Sequence, residues 1–281
     1  MMRRAVLVAL ALMLCAAPRT QGEADKYDVY AVRFATIKAF PVASLVAGAD
    51  PSRRLDIAMM VWVLKGADGR IALVDSGFHR QKYFTQFAVA DFIKPSDAIG
   101  TLGIKPEDVT DIFLSHMHWD HAGGVDLFPT ARVWIQKDEY EYYTGAAWQA
   151  GTTHGGIDAD DVLELVRRNT AGKLTLVRGE DAVSISGVGF HIGGKHTWQS
   201  QFVSVQTRSG RTVVLASDNV YLYENLDGHK PIAQTLDAAS NLTAQDRMRT
   251  LASSIQLIIP GHDPDVFNRF QRVSDRIVRV E

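Results

Sequence analysis

The sequence predicts a mixed α/β fold of the α+β type, a single domain in which sheets are covered by helices. Three observations carry this. Strand-like runs occupy both halves of the chain, with helical segments interspersed between them. No internal repeat, low-complexity tract or Pro/Ser-rich linker divides the residues that follow the N-terminal segment. A hydrophobic share of 46% and a charged share of 22% over 281 residues are ordinary for a globular chain that buries a sizeable core. A formal charge of −2, with no Lys/Arg run, gives no electrostatic footprint for nucleic acid.

Taken in order, residues 1–24 read as a secretory signal peptide. Arg3 and Arg4 precede the apolar stretch Ala5 to Ala17, which is too short for a membrane span. Small residues place cleavage after Ala17 or Ala24. The bulky Leu14 before Cys15 argues against a lipoprotein anchor, so a periplasmic or secreted protein is expected. Cys15 is the sole cysteine, so the mature chain offers neither a disulfide nor a thiolate for metal binding or catalysis. From residue 25 to 281 the chain is expected to form the catalytic domain.

Val29 to Phe40 is rich in β-formers. Ala58 to Leu64 and Arg70 to Val74 flank Lys65-Gly66-Ala67-Asp68-Gly69, a hairpin signal. Helices are expected over Arg80 to Ala90 and within Lys94 to Gly103. Asp111 to Leu114 and Val133 to Gln136 read as short strands. Lys137 to Ala171 reads as two helical pieces broken near Gly151 to Gly156, with Val162, Leu163, Leu165 and Val166 at helical spacing. Strands are expected again at Leu174 to Val177, Val183 to Ile192, Phe202 to Gln206 and Thr212 to Ala216. A helix over Ala244 to Ser253 then precedes the strand Gln256 to Ile259.

Three of the nine histidines fall within His116-Met117-His118-Trp119-Asp120-His121, directly after an apolar strand. Imidazole and carboxylate together suit zinc, and also manganese, iron or cobalt. Spacing at i, i+2, i+4 and i+5 lets His116 and His118 converge on one ion while Asp120 and His121 turn to a second. Ala122-Gly123-Gly124 lets the backbone pass tightly behind them. One loop cannot fill two coordination spheres, and His196, Asp218 and His262 stand at later strand ends as further candidates.

The run His-x-His-x-Asp-His-Ala-Gly-Gly, the upstream Leu73-Val74-Asp75-Ser76-Gly77, and His196, Asp218 and His262 resemble the metallo-β-lactamase superfamily. The resemblance spans about Tyr27 to Arg279 and implies an αββα sandwich with two divalent metals at one edge. By that likeness His116, His118 and His196 would hold the first metal, Asp120, His121 and His262 the second, and Asp218 would bridge them. The bridging carboxylate is typically missing from members that hydrolyse antibiotics, so its presence disfavours that activity. Ser217-Asp218-Asn219-Val220-Tyr221 looks like the N-acyl-homoserine lactonase branch, in which a Tyr three residues beyond the bridging Asp reaches the active site. The resemblance thus implies catalytic roles for Tyr221 and Asp120. Where such lactonases carry a Pro-Gly-His stretch near His196, this chain has Thr197-Trp198-Gln199-Ser200-Gln201, which places Trp198 at the pocket mouth.

Asp75 is expected to orient a metal-ligating histidine, and Trp119 joins Trp198 as a candidate pocket residue. Tyr140, Tyr142, Tyr143 and Trp148 read mainly as core, with pocket lining or a dimer contact as the alternatives; His79, His154, His191 and His229 read as surface or packing residues. The expected activity is opening of a lactone ring, N-acyl-homoserine lactones first. Alternatives are another lactone, a thioester or a phosphodiester as substrate, or an exported metal-binding protein without catalysis. Metal identity and oligomeric state stay open, a homodimer included.

Overall fold

A computed structural model describes residues 26–149, 154–180 and 185–281. The expected signal segment lies outside them, as do the start of the strand expected from Val183 and part of the break at 151–156. Thirteen strands run in chain order: β1 (Tyr27–Pro41), β2 (Arg54–Gly66), β3 (Ile71–Val74), β4 (Val89–Ala90), β5 (Asp111–Phe113), β6 (Arg132–Gln136), β7 (Leu174–Val177), β8 (Val188–Ile192), β9 (Gln201–Gln206), β10 (Thr212–Ser217), β11 (Ile258–Pro260), β12 (Gln271–Arg272) and β13 (Ile277–Arg279). The helices are α1 (Lys82–Gln86), α2 (Pro95–Ala98), α3 (Trp119–Ala122), α4 (Lys137–Tyr143), α5 (Ala159–Thr170), α6 (Tyr223–Asp227), α7 (Ala238–Leu251) and α8 (Val266–Arg269).

Among the described residues the strands form two sheets. The larger is ordered β12-β13-β1-β2-β3-β5-β6-β7, with β4 paired to β1; the smaller is β11-β10-β9-β8. Alternation along β2 explains the layering. Ile57, Met59, Val61 and Val63 pack with Tyr83, Ala98, Tyr140, Tyr143 and Leu165 of the helices. Ala58, Met60, Trp62 and Leu64 pack with Phe190, Phe202, Val203 and Leu215 of the second sheet. A strand buried on both faces reads as a continuous apolar run, and Ile57 to Leu64 is one. Ala244 and Met248 of α7 join the same second cluster. The result is the helix–sheet–sheet–helix sandwich expected.

Several expectations need correcting in detail. The helix expected through Ala90 stops at Gln86, because residues 89 and 90 instead pair antiparallel with Ile37 and Thr36. Helix α5 buries Val162 and Leu165, but Leu163 is exposed, since successive residues of a helix cannot share a face. Helix α7 starts six residues before Ala244, capped by the Asp237 side chain, which accepts from the Ser240 N–H at 3.0 Å. The C-terminal strand β13, not anticipated, pairs antiparallel with β1.

The fold positions the site through register. Parallel pairing of Val74 with Phe113 sets Asp75 beside the exit of β5. Parallel pairing of Leu215 with Ile259 sets Asp218 beside the exit of β11. The carboxyl ends of β3, β5, β10 and β11 therefore meet at one edge. Gln201 N–H to the Ser115 carbonyl (2.8 Å) ties the two sheets together there.

Candidate metal centre

The chain leaves β5 at Phe113, and Ser115, His116 and Met117 follow in a segment without regular secondary structure. Residues 119–122 then form a single helical turn, not a continuing loop, so Asp120 and His121 project from α3 while His116 and His118 project from the segment before it. Gly124 is required behind them, since a Cβ there would lie 2.1 Å from the Ser76 carbonyl oxygen. Asp75, Lys195 and Ser217 have φ of 61°, 57° and 47°. Non-glycine residues in that left-handed region cost about 1–3 kcal/mol each and cluster at functional sites.

Two groups of ligand-type atoms result. His116, His118, His196 and Asp218 form one; Asp120, His121, Asp218 and His262 form the other; within each, the candidate ligand atoms lie within 4.8 Å of one another. Asp218 divides between them. Its Oδ2 is 3.4 Å from His196 Nε2 and 3.8 Å from His116 Nε2, while its Oδ1 is 3.0 Å from His262 Nε2 and 3.2 Å from His121 Nε2. Asp120 Oδ2 stands 3.6 Å from both His121 Nε2 and His262 Nε2. Gly261 makes room for this, since a Cβ there would come within 2.6 Å of Asp218 Oδ1.

Hydrogen bonding around the rings tests whether cations fit. His262 Nδ1–H donates to the Ala58 carbonyl (3.0 Å) and His196 Nδ1–H to the Gln234 carbonyl (2.8 Å). A carbonyl only accepts, so each ring turns an unprotonated Nε2 inward. His121 Nδ1–H donates to Asp75 Oδ2 (2.8 Å), which also accepts from the hydroxyls of Ser217 (2.8 Å) and Ser115 (2.9 Å). With its own proton spent on Asp75, Ser115 Oγ accepts from His116 Nδ1–H at 2.9 Å, leaving His116 Nε2 bare as well. That Nε2 and His196 Nε2 lie 3.0 and 2.9 Å from His118 Nδ1, whose ring is also bonded to the backbone of Gly155. Lone pairs so converged call for a cation. In the second group His121 Nε2 and Asp218 Oδ1 are buried with no hydrogen-bond partner. The donor set, nitrogen and carboxylate oxygen without sulfur, suits two divalent ions.

The electrostatics of the halves differ. Burial, reinforced by neighbouring imidazoles, holds His116 and His118 well below the usual histidine range. Burial also opposes charge on His121 and His262, but Asp218 above all, with Asp120, overrides it and raises both. Burial, then Asp218 and Asp120, push the Tyr221 phenol well above 10, so it stays protonated. Its Oη lies 3.4 Å from His196 Nδ1.

A cavity of about 660 Å³ opens over His118, Asp120, Asp218, Tyr221 and His262. Ile37, Phe40, Leu45 and Ile57 line an apolar flank. Trp119 lines it too, stacked on Tyr83 (centroids 4.0 Å apart) and on Phe87 (4.9 Å). Tyr83 Oη donates to Asp158 at 2.6 Å, and Lys82 pairs with the same carboxylate at 2.6 Å.

All seven ligand candidates and Tyr221 are thus brought together, and Asp75 lies against His121 as expected. Trp198 corrects an expectation: it does not line the cavity but stacks, half exposed, on Tyr142 at 4.1 Å. His154 departs from the bland reading, lining the cavity stacked on Trp148 at 4.8 Å. Missed altogether were the wall residues Tyr83, Phe87 and Asp158, and Glu139. The latter is fully buried among the ligand loops although its place in Lys137-Asp138-Glu139 gives it the look of an exposed first-turn residue.

Relatives named N-acyl homoserine lactonase align over much of the chain. One from Azorhizobium caulinodans is 30% identical over 185 residues, covering 62% of this chain and 65% of the relative. One from Bacillus cereus is 27% identical over 227 residues, covering 76% and 84%. Among solved structures, a quorum-quenching N-acyl homoserine lactone lactonase superposes with a TM-score of 0.72 at 19% identity, covering 88% of this chain and 96% of that one. A dizinc quorum-quenching lactonase, AidC, superposes at 0.60 and 15% identity, covering 86% and 92%. The family model described as the metallo-beta-lactamase superfamily matches residues 58–262, from the strand that carries Ala58 to the last histidine of the centre, and the chain belongs to that superfamily.

Proposed function

We propose that the protein is a dinuclear lactonase that opens N-acyl-homoserine lactones, with zinc the first metal to test. The observation that carries this is Asp218, whose two oxygens face separate ligand groups while the Tyr221 hydroxyl stands beside one of them on the cavity wall. His116, His118 and His196 would hold one ion, Asp120, His121 and His262 the other, and Asp218 both. Bound there, two divalent ions would polarise an ester carbonyl and make water acidic enough to attack near neutral pH.

The chain's own groups supply the rest. Tyr221, held protonated, donates to the carbonyl oxygen as negative charge develops on it, help worth about 3–4 kcal/mol by comparison with measured oxyanion donors. Water adds to the carbonyl carbon, the ring C–O bond breaks, and Asp120 passes the proton to the departing alkoxide, giving the open-chain hydroxy acid. No protein nucleophile takes part. The apolar flank of Ile37, Phe40, Leu45 and Ile57 suits an acyl chain.

Metal analysis beside pH-stat assays of lactones of graded acyl length tests the proposal. Stoichiometric acid release is expected, with kcat/KM rising up to roughly fourfold per methylene, the equivalent of ~0.8 kcal/mol, until the flank is filled. Turnover of thioesters or phosphodiesters with no lactone opening would assign another hydrolase activity. Export to the periplasm or medium is part of the proposal, supported by Arg3, Arg4 and the apolar run to Ala17. N-terminal sequencing of the mature protein checks it.

A further inference from the structure

The first ligand group is assembled from two segments far apart in sequence, the stretch bearing His116 and His118 and the turn bearing His196. Glu139, the third residue of α4, lies between them at 0% exposure. Its Oε1 accepts from the backbone N–H of Met117 (3.1 Å), the residue between the two histidines, and from the hydroxyl of Thr197 (2.7 Å), the residue after the third. Its Oε2 accepts from the backbone N–H of Gln199 at 2.6 Å. Burial raises this carboxyl above its usual range, and those three donors offset only part of that. A buried carboxylate is costly, and a side chain of similar shape without charge would fill the same space more cheaply unless the three acceptor contacts serve a purpose. The donors all belong to the ligand-bearing segments, two of them are main-chain N–H groups with no freedom to rotate away, and the contacts reach all three histidine positions through their neighbours. The second ligand group gains nothing from Glu139, since its support comes from Asp75 on His121 and the Ala58 carbonyl on His262.

We propose that Glu139 is the positioning residue of the first half of the centre, fixing the distance between the His116–His118 segment and the His196 turn through main-chain and Thr197 donors. It touches no substrate and no ligand atom. The inference rests on the two-ion reading above and refines it by making the halves separable.

Glu139→Gln keeps the shape but puts an NH2 group where one oxygen now accepts. The test is a metal titration of the metal-free full-length protein with Co²⁺, followed by its visible spectrum and by calorimetry, for the wild type, Glu139→Gln, and the pair Thr197→Val and Thr197→Ser. The wild type should take up two ions per chain; fewer would count against the two-ion reading and leave the titration of the variants without its reference site. With two in the wild type, Glu139→Gln should weaken one ion roughly 10- to 100-fold, the size of effect seen for groups that orient ligands, and leave the other unchanged. Thr197→Val should weaken the same ion by less, and Thr197→Ser should restore it. Should Glu139→Gln not fold, the Thr197 pair carries the test alone. Equal weakening of both ions, or two unaltered affinities in a variant whose melting temperature alone has dropped, overturns the proposal and leaves Glu139 a packing residue.

Discussion

The two halves of the centre share Asp218 and, behind the ligands, the Asp75 carboxylate, which meets His121 directly and His116 through Ser115. The first is three imidazoles, two of which burial holds well below their usual range, set in loops that Glu139 ties together. The second adds the Asp120 carboxylate to two imidazoles that Asp218 and Asp120 raise, with one of them fixed by Asp75. The first half is therefore the less anionic and the better place to draw on a carbonyl oxygen. The Tyr221 hydroxyl stands beside it, 3.4 Å from His196 Nδ1. The second half carries more negative charge, and its Asp120 carboxylate lines the cavity, where the proposed proton carrier has to stand. In the mechanism proposed above, that difference in ligand charge would assign polarisation of the carbonyl to one half and proton transfer to the other.

Removing the shared residue should erase the comparison. Asp218→Asn takes the common charge from both halves, and breaking a buried ion pair costs about 3–5 kcal/mol, so metal content should drop below two per chain and turnover by roughly 10²–10⁴-fold. Elemental analysis beside a lactone assay reads both. Tyr221→Phe should act on the first half alone, lowering kcat by roughly 10²–10³-fold with metal content unchanged. Unaltered turnover would remove Tyr221 from the mechanism. Asp75→Asn should weaken the ion at His121 most, roughly 10- to 100-fold, and the other, which it reaches only through Ser115 and His116, by less. A calorimetric titration in which both ions weaken alike would show that the halves are not independent.

The smallest effect lies outside both halves, on the aromatic wall. Burial raises the Asp158 carboxyl, but Lys82, Tyr83 and the Asp160 N–H outweigh it and bring it below its usual range. Its folded pKa is thus lower than its unfolded one, so its contribution to stability is present above about pH 4 and is lost as pH falls through the folded value. Asp158→Asn should lower the melting temperature by a few degrees at pH 7, about 1 kcal/mol. That gap should close below pH 4, which thermal melts across pH will read.

Sequence patterns differ in how much of this they expose. The loop ligands of both halves were equally legible, because His116, His118, Asp120 and His121 share one short motif, and Asp75 ends a clear apolar strand. Asp218 and His262 stood out only in combination, since a single Asp or His after a strand has many uses. Glu139 was invisible: its contacts span 22 and 60 residues, to Met117 and Gln199, and nothing local distinguishes it from the exposed acids beside it. Trp198 was misplaced because an altered loop says that a pocket differs without saying where its ring points. For the fold, the apolar run of β2 and the glycines at its turn revealed the hairpin, whereas β13, three residues long, is set by its pairing with β1.

The central claim is that two unlike halves act together on a lactone. It is tested most directly by following acid release from an N-acyl-homoserine lactone while Zn²⁺ or Co²⁺ is added back to metal-free protein. Negligible opening is expected without metal, and full activity only as the second equivalent binds. Full activity at one equivalent, or no lactone opening at two, would contradict it.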